Sequence, residues 1–327
     1  MPCVSAAVEG ATGLLAAAPV SPVSVDPFVL QILLSPVAGV GALVWGLLWG
    51  SFANVVIHRV PQGLSVLRPR SRCPACETPI AGYDNIPVVS YLLLRGKCRH
   101  CGEPFSLRYL MVELLAGVLS VALYMKVVVV PLVAGGGVHL AAWLLWFAFG
   151  LCLLIITYID LDVWIIPDVI VLPMAGLGVV LAFAVPQWLG VGGGEALAAA
   201  ALGYGMFAGI RWLYLRMRGI EALGLGDAKL LLMVGAFCGL PGLVWTVGAG
   251  AVQGLLVSVP LLLAGRGVAN SDLHEVHGDD PELGSEDPED GVTGRRVPFG
   301  PFLAVAALEY VLLRDLIEGW LTGGLGS

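Results

Sequence analysis

Eight stretches of this chain run for about 20 residues with few or no charges, the length a helix needs to cross the hydrocarbon layer of a bilayer. They lie near 30–56, 109–132, 140–159, 169–188, 196–215, 229–247, 249–265 and 298–319. No apolar/polar alternation points to a barrel, and a lipid-exposed backbone must satisfy its own hydrogen bonds, so each stretch is expected to be helical. The expected fold class is an all-α polytopic membrane protein of about eight transmembrane helices. Composition agrees: 58% of the 327 residues are hydrophobic and 13% charged, more apolar surface than a soluble core uses. Membrane lipid is the expected surrounding, and no nucleic-acid partner is expected.

The charges are sorted along the chain. Arg59, Arg68, Arg70, Arg72, Arg95, Lys97, Arg99 and Arg108 all fall between the first two spans, and the positive-inside rule puts that segment in the cytoplasm. Alternation then places Arg211, Arg216, Arg218, Arg266, Arg295 and Arg296 on the same side, with Lys126 and Arg314 as exceptions that snorkel from near helix ends. The expected order is a disordered tail over 1–29, a first transmembrane helix over 30–56, and a small cytoplasmic loop module over 57–108. A transmembrane core over 109–265, an acidic cytoplasmic loop over 266–296, and a last helix and tail over 297–327 follow. The tail lacks the basic segment of a secretory signal, and the acidic loop reads as a solvated, disordered stretch.

Within the first cytoplasmic loop stand two pairs, Cys73-Pro-Ala-Cys76 and Cys98-Arg-His-Cys101. Two CxxC knuckles offer four thiolates to one tetrahedral zinc, and four such ligands close the site, so its expected role is structural. The alternative, two disulfides, suits an oxidising compartment better than a cytoplasmic loop. His100 is expected to face solvent, and Cys152 and Cys238 read as small apolar span residues.

Carboxylates beside membrane spans are costly and so are functional candidates. Asp160, Asp162 and Asp168 cluster after the third span, and Asp227 lies in Gly224-Leu225-Gly226-Asp227-Ala228-Lys229 before the sixth. The topology puts both groups on the cytoplasmic face. Two carboxylates close together share a proton and supply an acid and a base, which suits peptide hydrolysis. Gly224 and Gly226 would let a substrate backbone approach. Alternatively, Asp227 and Asp168 cap their helices and Asp162 is an ordinary interfacial carboxylate.

These residues resemble the type IV prepilin leader peptidases, a family that is also N-methyltransferase. The resemblance rests on Gly50-Ser51-Phe52-Ala53-Asn54-Val55, Arg59-Val60-Pro61, Asp84-Asn85-Ile86-Pro87-Val88, Leu94 to Arg99, Ser106 to Tyr109, Val112-Glu113, the GxGD motif ending at Asp227, and Pro298-Phe299-Gly300-Pro301-Phe302. It implies cleavage of the short basic leader of prepilins or pseudopilins, then methylation of the new amino terminus with S-adenosylmethionine. It also implies a multi-pass protein of the bacterial inner membrane with an aspartic peptidase core over 109–265. Carried over by position, the catalytic pair is Asp160 and Asp227. Asp162, Asp168, Lys229, Gly224 and Gly226 support it, Cys73, Cys76, Cys98 and Cys101 hold zinc, and Glu113 is the candidate for methyl transfer. Glu113 has a second reading as the ion-pair partner of Arg108. No Rossmann unit is visible, and the run Gly190 to Gly194 reads as a turn.

Three rival classes remain on sequence grounds. A transporter or assembly scaffold would use the aspartates as proton relays or caps. A presenilin-like or preflagellin-like protease also carries GxGD, but the cysteine module and the Pro298–Phe302 run argue against it. A membrane-anchored zinc-ribbon protein leaves Asp160 and Asp227 unexplained.

Overall fold

The computed structural model describes residues 26–218, 224–263 and 298–321. Most of the expected tail, the acidic loop, Cys3, Arg266, Arg295 and Arg296 lie outside these residues. Among the described residues there is no strand, only two isolated bridges. The helices in chain order are α1 (Pro27–Leu33), α2 (Pro36–Arg59), α3 (Val89–Leu93), α4 (Leu107–Tyr124), α5 (Val130–Val133), α6 (Leu140–Val163), α7 (Asp168–Ala184), α8 (Pro186–Leu189), α9 (Gly193–Arg218), α10 (Leu225–Leu263) and α11 (Gly300–Leu321).

Among the described residues, five helices are long and apolar enough to cross a membrane, Pro36–Arg59, Leu107–Val133, Leu140–Val163, Gly193–Met217 and Leu225–Leu261, with α7 shorter. The remaining expected spans fall on α7, α11 and a division of α10. The sequence suggested that division near residue 248; the break is at Gly239, whose φ of 65° and ψ of −165° are non-helical. Neighbours on either side show that the chain turns back there. Before it, Gly235 packs on Ala199 and Gly203 of α9 packs on Leu231. After it, Gly242 meets Tyr310, Gly250 meets Leu303 and Gly254 meets Phe299, a run antiparallel to α11. α10 is thus a hairpin with a short arm over 225–238, roughly 21 Å at about 1.5 Å per residue, and a long arm over 240–263.

The first crossing after the loop module contains a π turn over Met125–Val129, just before Pro131. Proline lacks an N–H and crowds the carbonyl four residues back, and the wider turn relieves that conflict.

Small residues set the helix spacing. A β-carbon on Gly46 would sit 2.5 Å from the Ala116 carbonyl oxygen, and one on Gly50 2.7 Å from the Glu113 Cα, so α2 and α4 touch backbone to backbone. Gly235 does the same against Ala199 at 2.6 Å, joining α10 to α9. Between these seams lies an aromatic core in which Phe149 of α6 stacks on Phe237 of α10 at 4.4 Å, with Trp146 at their edges. Outward faces remain apolar at helical spacing, as at Val252, Leu255, Leu256 and Val259, which suits lipid and not water.

The two ends of the bundle are pinned differently. At one end Arg314 donates to the Leu189 and Gly190 carbonyls and to Glu318, and Lys126 donates to the Leu312 carbonyl and Asp315. These two cations therefore tie α11 to α8 and to the π turn, beyond the snorkelling expected of them. Gly190 closes α8 in the left-handed conformation, and the turn expected over Gly190 to Gly194 ends at Gly192, because α9 already begins at Gly193. The opposite end gathers the last turn of α6 and the first turns of α4, α7, α10 and α11.

Candidate active site

Asp160 lies on the last turn of α6 and is 5% exposed. A helix carboxyl end is a poor place for a carboxylate, because the partial charge there is negative. α11 compensates: the Gly300 N–H, at its first turn, hydrogen-bonds the Asp160 carboxylate. A β-carbon on Gly300 would fall 2.4 Å from Asp160 Oδ2, so only glycine admits this approach. Pro301 follows at a position where a helix loses nothing by lacking an N–H.

Asp227 sits in the first turn of α10, and its carboxylate is within electrostatic reach of Asp160. The positive ends of two helices, α10 and α11, therefore converge on the pair. Gly224 and Gly226 divide the task assigned to them. A β-carbon on Gly226 would meet Ile166 at 3.0 Å, so Gly226 lets α10 close on the α6–α7 link. Gly224 faces open space beside Asp227.

The other acidic residues brace this end. Arg108 of α4 donates to Asp162 and to the Tyr158 carbonyl, and its guanidinium lies 4.8 Å over the Tyr158 ring. Lys229 bonds both oxygens of Asp168 at 2.7 and 2.8 Å, joining α10 to the start of α7. Asp162, Asp168 and Lys229 thus hold the helices that carry the pair. After α6 the chain turns through Trp164, which is left-handed at φ 57°, and Ile166 follows as a buried wall.

Arg108 is not the partner of Glu113. Glu113 is 9% exposed and accepts the Val88 N–H at 2.7 Å and a hydrogen bond from the Ser51 hydroxyl. Val88 is the centre of a γ-turn, with φ 62°, ψ −49° and the Val89 N–H on the Pro87 carbonyl. That conformation is strained for a β-branched residue, and the Glu113 carboxylate holds it. Asn54, a turn below Ser51 on α2, donates to the Tyr109 carbonyl.

The four cysteine sulfurs come together in the loop module, all within 4.8 Å of one another, with Cys73 to Cys101 at 3.7 Å and Cys76 to Cys98 at 4.0 Å. These spacings are far too long for disulfides and match the edge of a tetrahedron with metal–sulfur bonds of about 2.3 Å. The two knuckles are built alike. Each first cysteine donates its N–H five residues ahead, Cys73 to Thr78 and Cys98 to Glu103, and the residue before that acceptor, Glu77 or Gly102, has positive φ. The cluster can therefore hold a metal ion. His100 is exposed, as expected. Arg99 clasps Asp84 through two nitrogens at 2.6 to 3.1 Å, tying the second knuckle to the turn before α3.

Sequence reasoning quoted Gly300 only as part of a motif, and its contact with Asp160 was not foreseen. The signal was present in the Phe-Gly-Pro triplet at a helix start. The Gly46 and Gly50 pair, spaced like a membrane-helix packing motif, was also overlooked.

Comparison with known proteins bears on the chain as a whole. A family model described as the bacterial peptidase A24 N-terminal domain matches residues 44–127, and one described as the type IV leader peptidase family matches residues 147–259. The chain is 35% identical over 320 residues to a prepilin leader peptidase/N-methyltransferase of Myxococcus xanthus, covering 85% of this chain and 91% of the relative. It is 33% identical to the protein of that name from Aeromonas hydrophila, over 84% and 91% of the two chains. With that of Klebsiella pneumoniae the identity is 39%, over 59% of this chain and 82% of the relative. No solved structure matches.

Proposed function

Because the chain belongs to the type IV leader peptidase family, we propose that it removes the leader from type IV prepilins or pseudopilins with Asp160 and Asp227, and then methylates the new amino terminus. The observation that carries the peptidase reading is the meeting of Asp160 and Asp227 at two helix amino termini, with Gly300 against the Asp160 carboxylate.

The chemistry follows from the pair. One ionised carboxylate takes a proton from water as it attacks the scissile carbonyl. The protonated partner gives its proton to the developing oxyanion, and the leaving amine is protonated as the carbon–nitrogen bond breaks. Buried Asp160 and the Ile166 wall limit bulk water, while Gly224 leaves room for an extended backbone beside Asp227. The basic residues between α2 and α4 orient this end toward the cytoplasm, where a prepilin leader lies. In this reading the protein is a multi-pass component of the bacterial inner membrane.

Cys73, Cys76, Cys98 and Cys101 would hold a structural zinc ion, whose four thiolate bonds leave no position for activating water. S-adenosylmethionine would supply the methyl group, and Glu113 is the residue assigned to that step.

The test is incubation of the purified protein and its Asp160→Asn and Asp227→Asn variants with a prepilin in detergent plus S-adenosylmethionine, reading the product amino terminus by mass spectrometry. Leader loss with the parent and with neither variant supports the pair, and an added 14 Da, roughly one methyl in place of a hydrogen, supports the transferase. Cleavage that survives both substitutions overturns the aspartyl mechanism.

A further inference from the structure

A cavity of about 690 Å³ opens between the loop module and the ends of α2 and α4. Its lining includes neither Asp160 nor Asp227. Its volume falls in the range of about 300–1,000 Å³ typical of small-molecule sites. Ser51, Asn54 and Glu113 line it from the helices, and the loop module closes over them.

The charges on its walls are arranged asymmetrically. Arg68, Arg70, Arg72 and Lys97 line the loop side, with Arg59 at the end of α2. Of the three carboxylates present, Asp84 is already clasped by Arg99, which leaves Glu77 on the loop and Glu113 at the helix side. A basic leader peptide is repelled by such a wall. The site instead suits a small zwitterion that carries an anionic group toward the arginines and a cationic centre toward Glu113. S-adenosylmethionine has that character, with its amino-acid carboxylate at one end and its sulfonium near the middle.

Resting on the methyltransferase reading above, we propose that this cavity is the S-adenosylmethionine site, with the sulfonium facing Glu113 and the carboxylate facing the Arg70 and Arg72 side. In the transfer, the lone pair of the new terminal amine forms a bond to the methyl carbon. The carbon–sulfur pair stays on sulfur, the amine loses a proton, and neutral S-adenosylhomocysteine remains. The charge that Glu113 faces is thus lost with the methyl group, so the site holds the donor more tightly than the product.

That difference makes the proposal testable by binding alone. Isothermal titration of the full chain in detergent would compare S-adenosylmethionine with S-adenosylhomocysteine for the parent, Glu113→Gln, and Arg70→Met combined with Arg72→Met. Glutamine keeps an oxygen for the Val88 N–H, and an unchanged melting temperature checks the fold. Glu113→Gln is expected to weaken S-adenosylmethionine about tenfold, the size of one lost charge-assisted contact, and S-adenosylhomocysteine less than about threefold. The arginine variant is expected to weaken both ligands alike. Equal loss of both ligands, or of neither, in Glu113→Gln overturns the placement of the sulfonium. An arginine variant that binds both as the parent does overturns the cavity as the site, as does a copurifying phospholipid headgroup that S-adenosylmethionine fails to displace in native mass spectrometry. If the parent binds neither ligand and methylates nothing, the underlying transferase reading fails with it.

Discussion

The Gly300 amide meets the Asp160 carboxylate so closely that a β-carbon at position 300 would lie 2.4 Å from Oδ2. The first turn of α11 is thereby a fixed wall of the aspartate pair, although nearly 140 residues of chain, roughly counted, separate the two positions.

Gly300→Ala tests that wall. The added methyl must push the Asp160 side chain or the start of α11 aside. A displacement of about 1 Å at a reacting group commonly slows catalysis about a hundredfold. Leader removal, measured as an initial rate by gel shift of a prepilin, is expected to fall between about tenfold and a hundredfold with the protein still folded. A rate within about twofold of the parent would mean that Gly300 does not set the position of Asp160.

The Lys229–Asp168 pair is partly solvated, with side chains 24% and 51% exposed, so its contribution to stability is at most about 1 kcal/mol. Its value lies in orientation, since it locks the first turn of α10 to that of α7. Lys229→Met and Asp168→Asn are each expected to cut the cleavage rate severalfold while moving the melting temperature little. The double exchange Lys229→Asp with Asp168→Lys is expected to recover part of the loss, and a double-mutant cycle measures the coupling.

Metal removal should act first on the loop module. One zinc per chain is expected by elemental analysis, and Cys98→Ser, which removes a buried sulfur, is expected to abolish it. Limited proteolysis would then open the segment between α2 and α4, and methylation should fall before cleavage does, because the cavity is roofed by this module. Acid adds little of its own above pH 4 or so. The hydrogen bonds and charge of Arg99 hold the Asp84 carboxyl below its usual range. That pair is intact above the unfolded value of about 3.9 and is lost as pH falls through the lowered one.

Gly50→Ala probes the α2–α4 seam. With Glu113 Cα 2.7 Å from the new methyl and Ala116 Cβ at 2.9 Å, the helices must separate. Overpacking of this kind costs about 1–3 kcal/mol. Thermal unfolding should report that loss, and methylation is expected to fall more than leader removal, since Ser51, Asn54 and Glu113 share this seam whereas the aspartates do not.

How far the sequence reached depended on the range of the interactions involved. Apolar length announces a membrane helix locally, and two CxxC pairs announce a metal cluster, so these elements were legible. The division of α10 was expected, but at the wrong place. The expected boundary lay between 247 and 249, whereas the reversal is set by the left-handed φ of Gly239 against Glu195, a contact between helices. In the same way, Asp162 and Asp168 could be marked as acidic positions near the pair, but not that Arg108 and Lys229 would claim them. Glu113, the candidate for methyl transfer, had Arg108 as the partner in its alternative reading. The actual partner, the Val88 amide, depends on how the loop module folds back over α4.

The short arm of α10 carries a consequence for the surrounding lipid. At roughly 21 Å it is well under the hydrocarbon thickness of about 30 Å, so a flat bilayer of ordinary depth would drown Asp227 in acyl chains if the Gly239 turn reached the far surface. A bilayer that relieves that mismatch would thin beside α10 and bring its polar face closer to the aspartates. In the peptidase reading proposed above, water would then reach the pair where the bilayer dips. The turn at one glycine on the far side of the protein would thereby make membrane thickness a variable of the reaction.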